Sequence, residues 1–282
     1  MLKIRPAYVA GQFYPADSEE LREQINQYLQ EVDLDLISKK IMRAIIVPHA
    51  GYVFSGLVAA YAYKTLIGRR IKRVFLLGNS HRSYFDGLVV DDSDAWETPL
   101  GRVMVDKEVG RELASMNKRI FLSNEPHQGD HILEVQLPFL QVALADKFQI
   151  VPIVFGNQNP IDYQELGKVL LSVVGEEDLI VASSDLSHYP PASIAEKIDQ
   201  QTLEHIVARD VVGLEEYIMM VKSQNIPGEE TVLCGPEAVK TIMLMAQKQD
   251  WIGRILHYAH SGNSPLGDKE RVVGYGAIGF YK

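Results

Sequence analysis

Three apolar runs, each leading into a polar loop with a histidine, constrain this chain more than any other feature. Ala44-Ile45-Ile46-Val47 runs into Pro48-His49-Ala50-Gly51-Tyr52, and Val74-Phe75-Leu76-Leu77 into Gly78-Asn79-Ser80-His81. A third run, Asp178 to Ala182, precedes Ser183-Ser184-Asp185-Leu186-Ser187-His188-Tyr189. Such runs suit strands buried on both faces, as parallel strands are. The helix-like segment Leu57 to Ile67 separates the first two, giving a β-α-β unit with a right-handed crossover and a neighbouring parallel pair. Parallel strands place their carboxyl ends on one sheet edge, where ligands gather in open α/β folds.

The rest of the chain fits one α/β domain over residues 1–282, with a central, mostly parallel or mixed sheet flanked by helices. Residues 5 to 17 read as an irregular aromatic arm, lying on a surface or entering a site. Asp17-Ser18 caps a helix to Glu31 that carries Leu21, Ile25, Tyr28 and Leu29 on one face. A polar connection follows around Asp33 to Lys40, and a strand over Met42 to Val47. Gly87 to Asp91 and Val103 to Val105 read as strands joined by a loop holding Trp96, Pro99 and Gly101. Asp106 caps a short helix to Ser115, and His131 and Glu134 open another that passes Pro138. Gln149 to Phe155 is a strand, and Pro160 starts a helix to about Val174. A helical pattern from Ser193 to Met220 breaks near Val212-Gly213, and Cys234-Gly235-Pro236 opens a last helix to about Gln247. Arg254 to His260 and Val272 to Tyr281 read as closing strands.

Charge and cysteine usage narrow the classes of function. Net charge is −9, from 28 basic and 37 acidic residues, so no basic face for nucleic acid is expected. Cys234 is the one cysteine, which rules out an intrachain disulfide and suits a reducing compartment. The start, Met1 to Pro6, lacks a signal-peptide core, and no stretch reaches the roughly 20 apolar residues of a membrane span. The expectation is a soluble cytoplasmic protein with no membrane partner.

Several polar side chains gather at the expected strand ends: His49, Ser80-His81 and Asp185-Ser187-His188. His131, Glu134 and Cys234 sit at helix starts. Imidazoles, a thiolate and carboxylates from separate elements suit a single metal ion, and a mixed His/Cys set suits zinc, copper or iron. Each residue also has a plainer role open to it. Cys234 can serve as a small buried hydrophobe, or as a ligand or nucleophile at a helix start. Asp185 can cap a helix or orient a ligand histidine. His127, His205, His257 and His260 read as structural. Ser55 and Ser187 lie outside any Gly-x-Ser-x-Gly elbow, and the chain has neither GxGxxG nor GxxxxGK[ST].

A series of motifs resembles the Memo family in the order that family shows them. They are Ala10-Gly11-Gln12-Phe13-Tyr14-Pro15, Pro48-His49-Ala50-Gly51-Tyr52 with Ser55-Gly56, Leu77-Gly78-Asn79-Ser80-His81, Ser183 to Tyr189, Cys234-Gly235 and Val272-Val273-Gly274-Tyr275. The resemblance runs from about residue 5 to the end. It implies a fold similar to class III extradiol dioxygenases, which use non-haem iron. It also implies His49, His81 and Cys234 as metal ligands, with His131, Asp185 and His188 as catalytic pocket residues. Asp130, His131 and Glu134 match the family's acidic-His-x-x-Glu pattern, although Ile132 stands where the family often has Ser. Extradiol enzymes usually hold iron with two His and a carboxylate. Cys234 in the carboxylate's place moves preference toward copper(I), zinc or a differently tuned iron. Microbial members imply a pathway shared with a radical-SAM protein.

The leading reading is therefore a metal-binding, dioxygenase-like protein, an iron- or copper-dependent redox enzyme acting on a small substrate. Its competitor is a non-catalytic module that uses the strand-end pocket to hold a metal or a peptide. A metal-free thiol or hydrolytic enzyme ranks third, because it leaves His49 and His81 without a joint role.

Overall fold

The apolar runs form the middle of the sheet. The computed structural model describes residues 2–33, 40–144 and 147–282. In chain order the elements are β1 (Ile4–Arg5), α1 (Ser18–Glu31), β2 (Met42–Val47), α2 (Tyr52–Lys64), β3 (Arg73–Asn79), β4 (Leu88–Val90), β5 (Ala95–Thr98) and β6 (Gly101–Val105). Then come α3 (Lys107–Met116), β7 (Ile120–Leu122), α4 (Leu137–Ala143), β8 (Gln149–Phe155), α5 (Pro160–Val173) and β9 (Asp178–Ser183). The chain closes with α6 (Ala192–Ala208), α7 (Val211–Ser223), α8 (Pro236–Lys248), β10 (Ile252–His260) and β11 (Gly274–Tyr281).

Among the described residues these strands make one 11-stranded mixed sheet, with the path β1-β5-β6-β8-β3-β9-β2-β11-β10 and β4 and β7 branching from β8. The block β8-β3-β9-β2 is parallel throughout, while β11 and β10 close one side antiparallel. The sequence reading of a single α/β domain with a mixed sheet between helices holds. One expectation about pairing does not: β2 and β3 are not neighbours, because β9 lies between them. Both pair with β9 in parallel, so their carboxyl ends still share an edge.

Period-2 alternation divides the core. Ile45, Val47, Val74, Leu76, Leu179 and Val181 face α1, α2 and α4. Ala44, Ile46, Phe75, Leu77, Ile180 and Ala182 face α3, α5, α6 and α8. Strands buried on both faces have no polar side to show, which is why these runs read as continuously apolar. In α1, Leu21, Ile25 and Leu29 recur every fourth residue and are buried, while Asp17 accepts from Glu19 and Glu20 N–H as the N-cap.

The other differences have local causes. Helix α2 begins at Tyr52, capped by Gly51, five residues before the expected Leu57. Ser55 and Gly56 therefore lie inside the helix; a Cβ on Gly56 would meet the Tyr28 ring at 2.6 Å, so this glycine lets α1 and α2 approach. Trp96, expected in a loop, sits on β5, which pairs with both β1 and β6. Strands of two to four residues such as β1, β5 and β7 are too short to show a period. The long helical pattern breaks at Arg209, in the left-handed conformation, and Asp210 caps α7 by accepting from Gly213 N–H. The polar connection expected around Asp33 to Lys40 falls mainly on 34–39, outside the described residues.

A fully buried ion pair fixes the N-terminal arm. Arg5 Nη1 donates to Glu134 Oε2 at 2.6 Å, Nε to His127 O at 2.7 Å and Nη2 to Asp130 O at 2.6 Å. The Glu134 carboxylate also accepts from Tyr8 N, Val9 N and Tyr14 Oη. Removing one partner of such a pair strands the other charge in the core. Arg5→Met is expected to cost about 3–5 kcal/mol in urea unfolding; a loss under about 1 kcal/mol would show that the pair does not anchor the arm.

Candidate metal centre

The loops that follow β2, β3 and β9 lie side by side because their strands do, and each contributes to one cavity of about 870 Å³. His49 and Ala50 come from the β2 loop, Ser80 and His81 from the β3 loop, and Asp185, His188 and Tyr189 from the β9 loop. His131 enters from the turn before α4, Cys234 from the residue before the Gly235 cap of α8, and Phe13 from the N-terminal arm. All six side chains singled out from the sequence, His49, His81, His131, Asp185, His188 and Cys234, line this cavity.

Three imidazoles converge most closely. Ring nitrogens of His49, His81 and His131 lie within 4.8 Å of one another. The His81 and His131 rings stack at 5.6 Å, and the His49 ring stands edge-on to both. Metal–nitrogen bonds are about 2.0–2.1 Å long, so small side-chain rotations would close this trio onto one ion. Cys234 Sγ stands 3.3 Å from His49 Nε2 and accepts from Asp185 N–H at 3.1 Å. A Cβ on Gly235 would meet Ser183 O at 2.8 Å, so only glycine lets the Cys234 turn lie against the end of β9.

Two carboxylates hold the backbone of this cluster. His49 N–H donates to Asp185 Oδ1 at 2.8 Å, and His81 N–H to Asp130 Oδ2 at 2.9 Å. Asp185 Oδ2 lies 3.9 Å from His49 Nε2. Glu134, grouped with the candidate donors on sequence grounds, turns to Arg5 and the arm, so its role is to set the His131 turn. His188 donates from Nδ1 to Leu186 O at 2.9 Å, since a carbonyl only accepts. Tyr189 beside it takes φ of 72°, a strained value for a bulky residue, and its N–H is held by Val272 O at 2.6 Å.

The cavity favours neutral imidazoles. Burial, then the other histidines, lower His49 well below its ordinary value. Loss of water lowers His81 even though one face is open to the cavity, and it lowers His131 to about 4. Metal ligation needs neutral imidazole, so these rings meet that condition at neutral pH. Burial raises Asp185 to about 6 and pushes the Cys234 thiol above its usual range.

His127, His205, His257 and His260 lie elsewhere. His127 is buried edge-on to Trp96, His205 faces Asp210, His257 stacks on Tyr61 at 4.0 Å, and His260 faces Glu196. Sequence reasoning missed Gln136, Ser183 and Asp199. Ser183 is marked by its strand end and by the Ser183 to Tyr189 motif, but neither ties it to the His49 ring; Gln136 and Asp199 carry no signal. Asp199, on α6, accepts Ser187 N–H at 2.9 Å and Tyr258 Oη–H at 2.8 Å, and so holds the loop that presents His188.

The fold and site together define an α/β protein with a three-histidine cluster, able to hold a metal, at the carboxyl edge of its parallel strands. A profile of the Memo-like protein family matches residues 5–279, and the chain belongs to that family. A MEMO1 family protein of Nitrosopumilus maritimus is 35% identical, covering 98% of this chain and 99% of the relative. One from Thermoplasma volcanium is 31% identical over 98% and 97%, and one from Saccharolobus solfataricus 36% over 96% and 97%. The crystal structure of an uncharacterized Escherichia coli K12 protein shares the fold, with a TM-score of 0.53 at 13% identity over 84% of this chain and 99% of that one. Among the described residues no helix is long and apolar enough to cross a membrane.

Burial pushes Asp199 from 3.8 up to about 7. The folded state then keeps a proton that the unfolded chain releases, so this group's stabilisation is full below 3.8 and is lost as pH rises through about 7. Asp199→Asn should therefore gain on the wild type by up to about 4 kcal/mol between pH 4 and pH 8. Urea midpoints for both proteins across that range measure it; parallel curves would rule it out.

Proposed function

We propose that this chain is a mononuclear metal protein whose His49, His81 and Cys234 ligate iron or copper, and that it acts as a dioxygenase-like redox enzyme on a small substrate. The observation that carries the metal reading is the convergence of His49, His81 and His131 nitrogens within 4.8 Å in a cavity with room beyond them; Cys234, 3.3 Å from His49 Nε2, stands outside that trio and enters the ligand set from the family resemblance. The donor set fits: neutral imidazoles suit copper, iron and zinc, and a thiolate adds preference for the softer ions. Bound there, iron or copper would supply one-electron redox chemistry.

The protein's own groups divide the remaining work. Asp185 holds His49 through its backbone N–H, and with a pKa of about 6 it can also exchange a proton near neutral pH. His188 and His131 move protons at the cavity wall. Phe13, whose ring lies 4.5 Å from that of His131, and the buried Tyr275 shield one side from water. Volume and lining suit a small molecule, and a tie to a radical-SAM protein's pathway is part of the same proposal.

Metal analysis after anaerobic purification tests the ligand set. His49→Ala and His81→Ala should each lower bound metal by more than about tenfold, since even changes beyond the ligands cost 10–100-fold. Full metal content in both variants would overturn the site. Loading with Co²⁺ should give a thiolate-to-metal charge-transfer band that Cys234→Ser abolishes; if the band is missing from the wild type, His131 rather than Cys234 completes the set. Oxygen uptake by iron- or copper-loaded protein with catechols and other small phenols then tests catalysis. No uptake by fully loaded protein would favour the non-catalytic module.

A further inference from the structure

A closed chain of buried hydrogen bonds runs from α2 to the His49 ring. Tyr63 Oη donates to Gln136 Oε1 at 2.8 Å. Gln136 Nε2 donates to Pro48 O at 2.9 Å and to Ser183 Oγ at 2.7 Å. Ser183 Oγ donates to Ile132 O, and His49 Nδ1 lies 3.0 Å from Ser183 Oγ. Tyr63, Gln136, Ser183 and His49 are all buried, so no water can substitute for a wrong partner.

Counting donors and acceptors leaves one solution. A peptide carbonyl only accepts, so Pro48 O requires the amide nitrogen of Gln136 and fixes its orientation, and Tyr63 Oη–H then meets Oε1. Both Gln136 amide hydrogens are spent, on Pro48 O and on Ser183 Oγ. Ile132 O likewise requires a donor, and the single Ser183 hydroxyl hydrogen goes there. Ser183 Oγ has one lone pair left for His49 Nδ1, which must supply the hydrogen.

We infer that Ser183, held by Gln136, is a positioning residue that locks His49 as the Nδ1–H tautomer and presents Nε2, lone pair outward, to the metal cavity. This deepens the metal reading of the same cavity, and its use in the protein rests on that reading; the tautomer itself does not. Nε2 is the atom that faces Cys234 Sγ at 3.3 Å, so the lock aims the donor at the position the ion would share with the thiol. A histidine ligand fixed through its other nitrogen loses no tautomer or rotamer freedom on binding.

Long-range ¹H–¹⁵N spectra of metal-free, uniformly labelled full-length protein at pH 7.5 test it, with His49 assigned by signal loss in His49→Gln. The expected result is a single Nδ1–H pattern for His49. An Nε2–H pattern, or averaging of the two, would overturn the inference with no variant needed. In Ser183→Ala the pattern should change toward Nε2–H or a mixture, and Zn²⁺ affinity by competition should fall about 10–100-fold. Ser183→Thr, which keeps the hydroxyl, should restore both. An unchanged tautomer in folded Ser183→Ala would remove Ser183 from the role. If the wild type shows Nδ1–H but Zn²⁺ leaves the His49 signals unmoved, the metal reading fails and the tautomer lock stands.

Discussion

The site depends on β9 lying between β2 and β3. A central strand must pair with both neighbours along its length, because its own backbone groups have no water to turn to. That requirement sets three carboxyl ends shoulder to shoulder: Val47 pairs with Ser183 and Leu77 with Ala182 in register. The loops that follow have nowhere to go but across the same edge. His49, His81 and the Asp185–His188 segment therefore meet without any long-range motif.

Around that edge, the polar residues hold one another in a hierarchy. The buried Arg5–Glu134 pair ties the arm to the turn before α4 and, through Asp130 O, fixes the turn that carries His131. Asp130 then takes the His81 N–H, and Asp185 takes the His49 N–H. Ser183 joins the end of β9 to the His49 ring and to the carbonyl of Ile132. These links hold the backbone at His49 and His81, and Ser183 also holds the His49 ring. Ile132 is buried, and its carbonyl takes the hydrogen bond in the polar chain.

Membership of the Memo-like family and the α/β fold stand on the whole length of the chain. The chemistry stands on the cavity. Neutral rings meet what a three-histidine metal site needs, whereas the Cys234 thiol, kept protonated by burial, would have to give up its proton to ligate.

Local sequence determined a good deal. The apolar runs gave β2, β3 and β9 within a residue or two, because strands buried on both faces leave no ambiguity of period. Asp17, Asp106 and Pro160 marked helix starts through capping and fixed φ. The six candidate residues were legible as histidines, an acid and a thiol at element ends. Tertiary structure decided the rest. Nothing local places β9 between β2 and β3, since strand order is set by packing across the sheet. Nothing local turns Glu134 from the metal cavity to Arg5, 129 positions away in the chain. Only the folded chain brings Gln136 and Ser183 to the His49 ring, because a buried hydrogen-bond count exists only once the partners share a volume that excludes water.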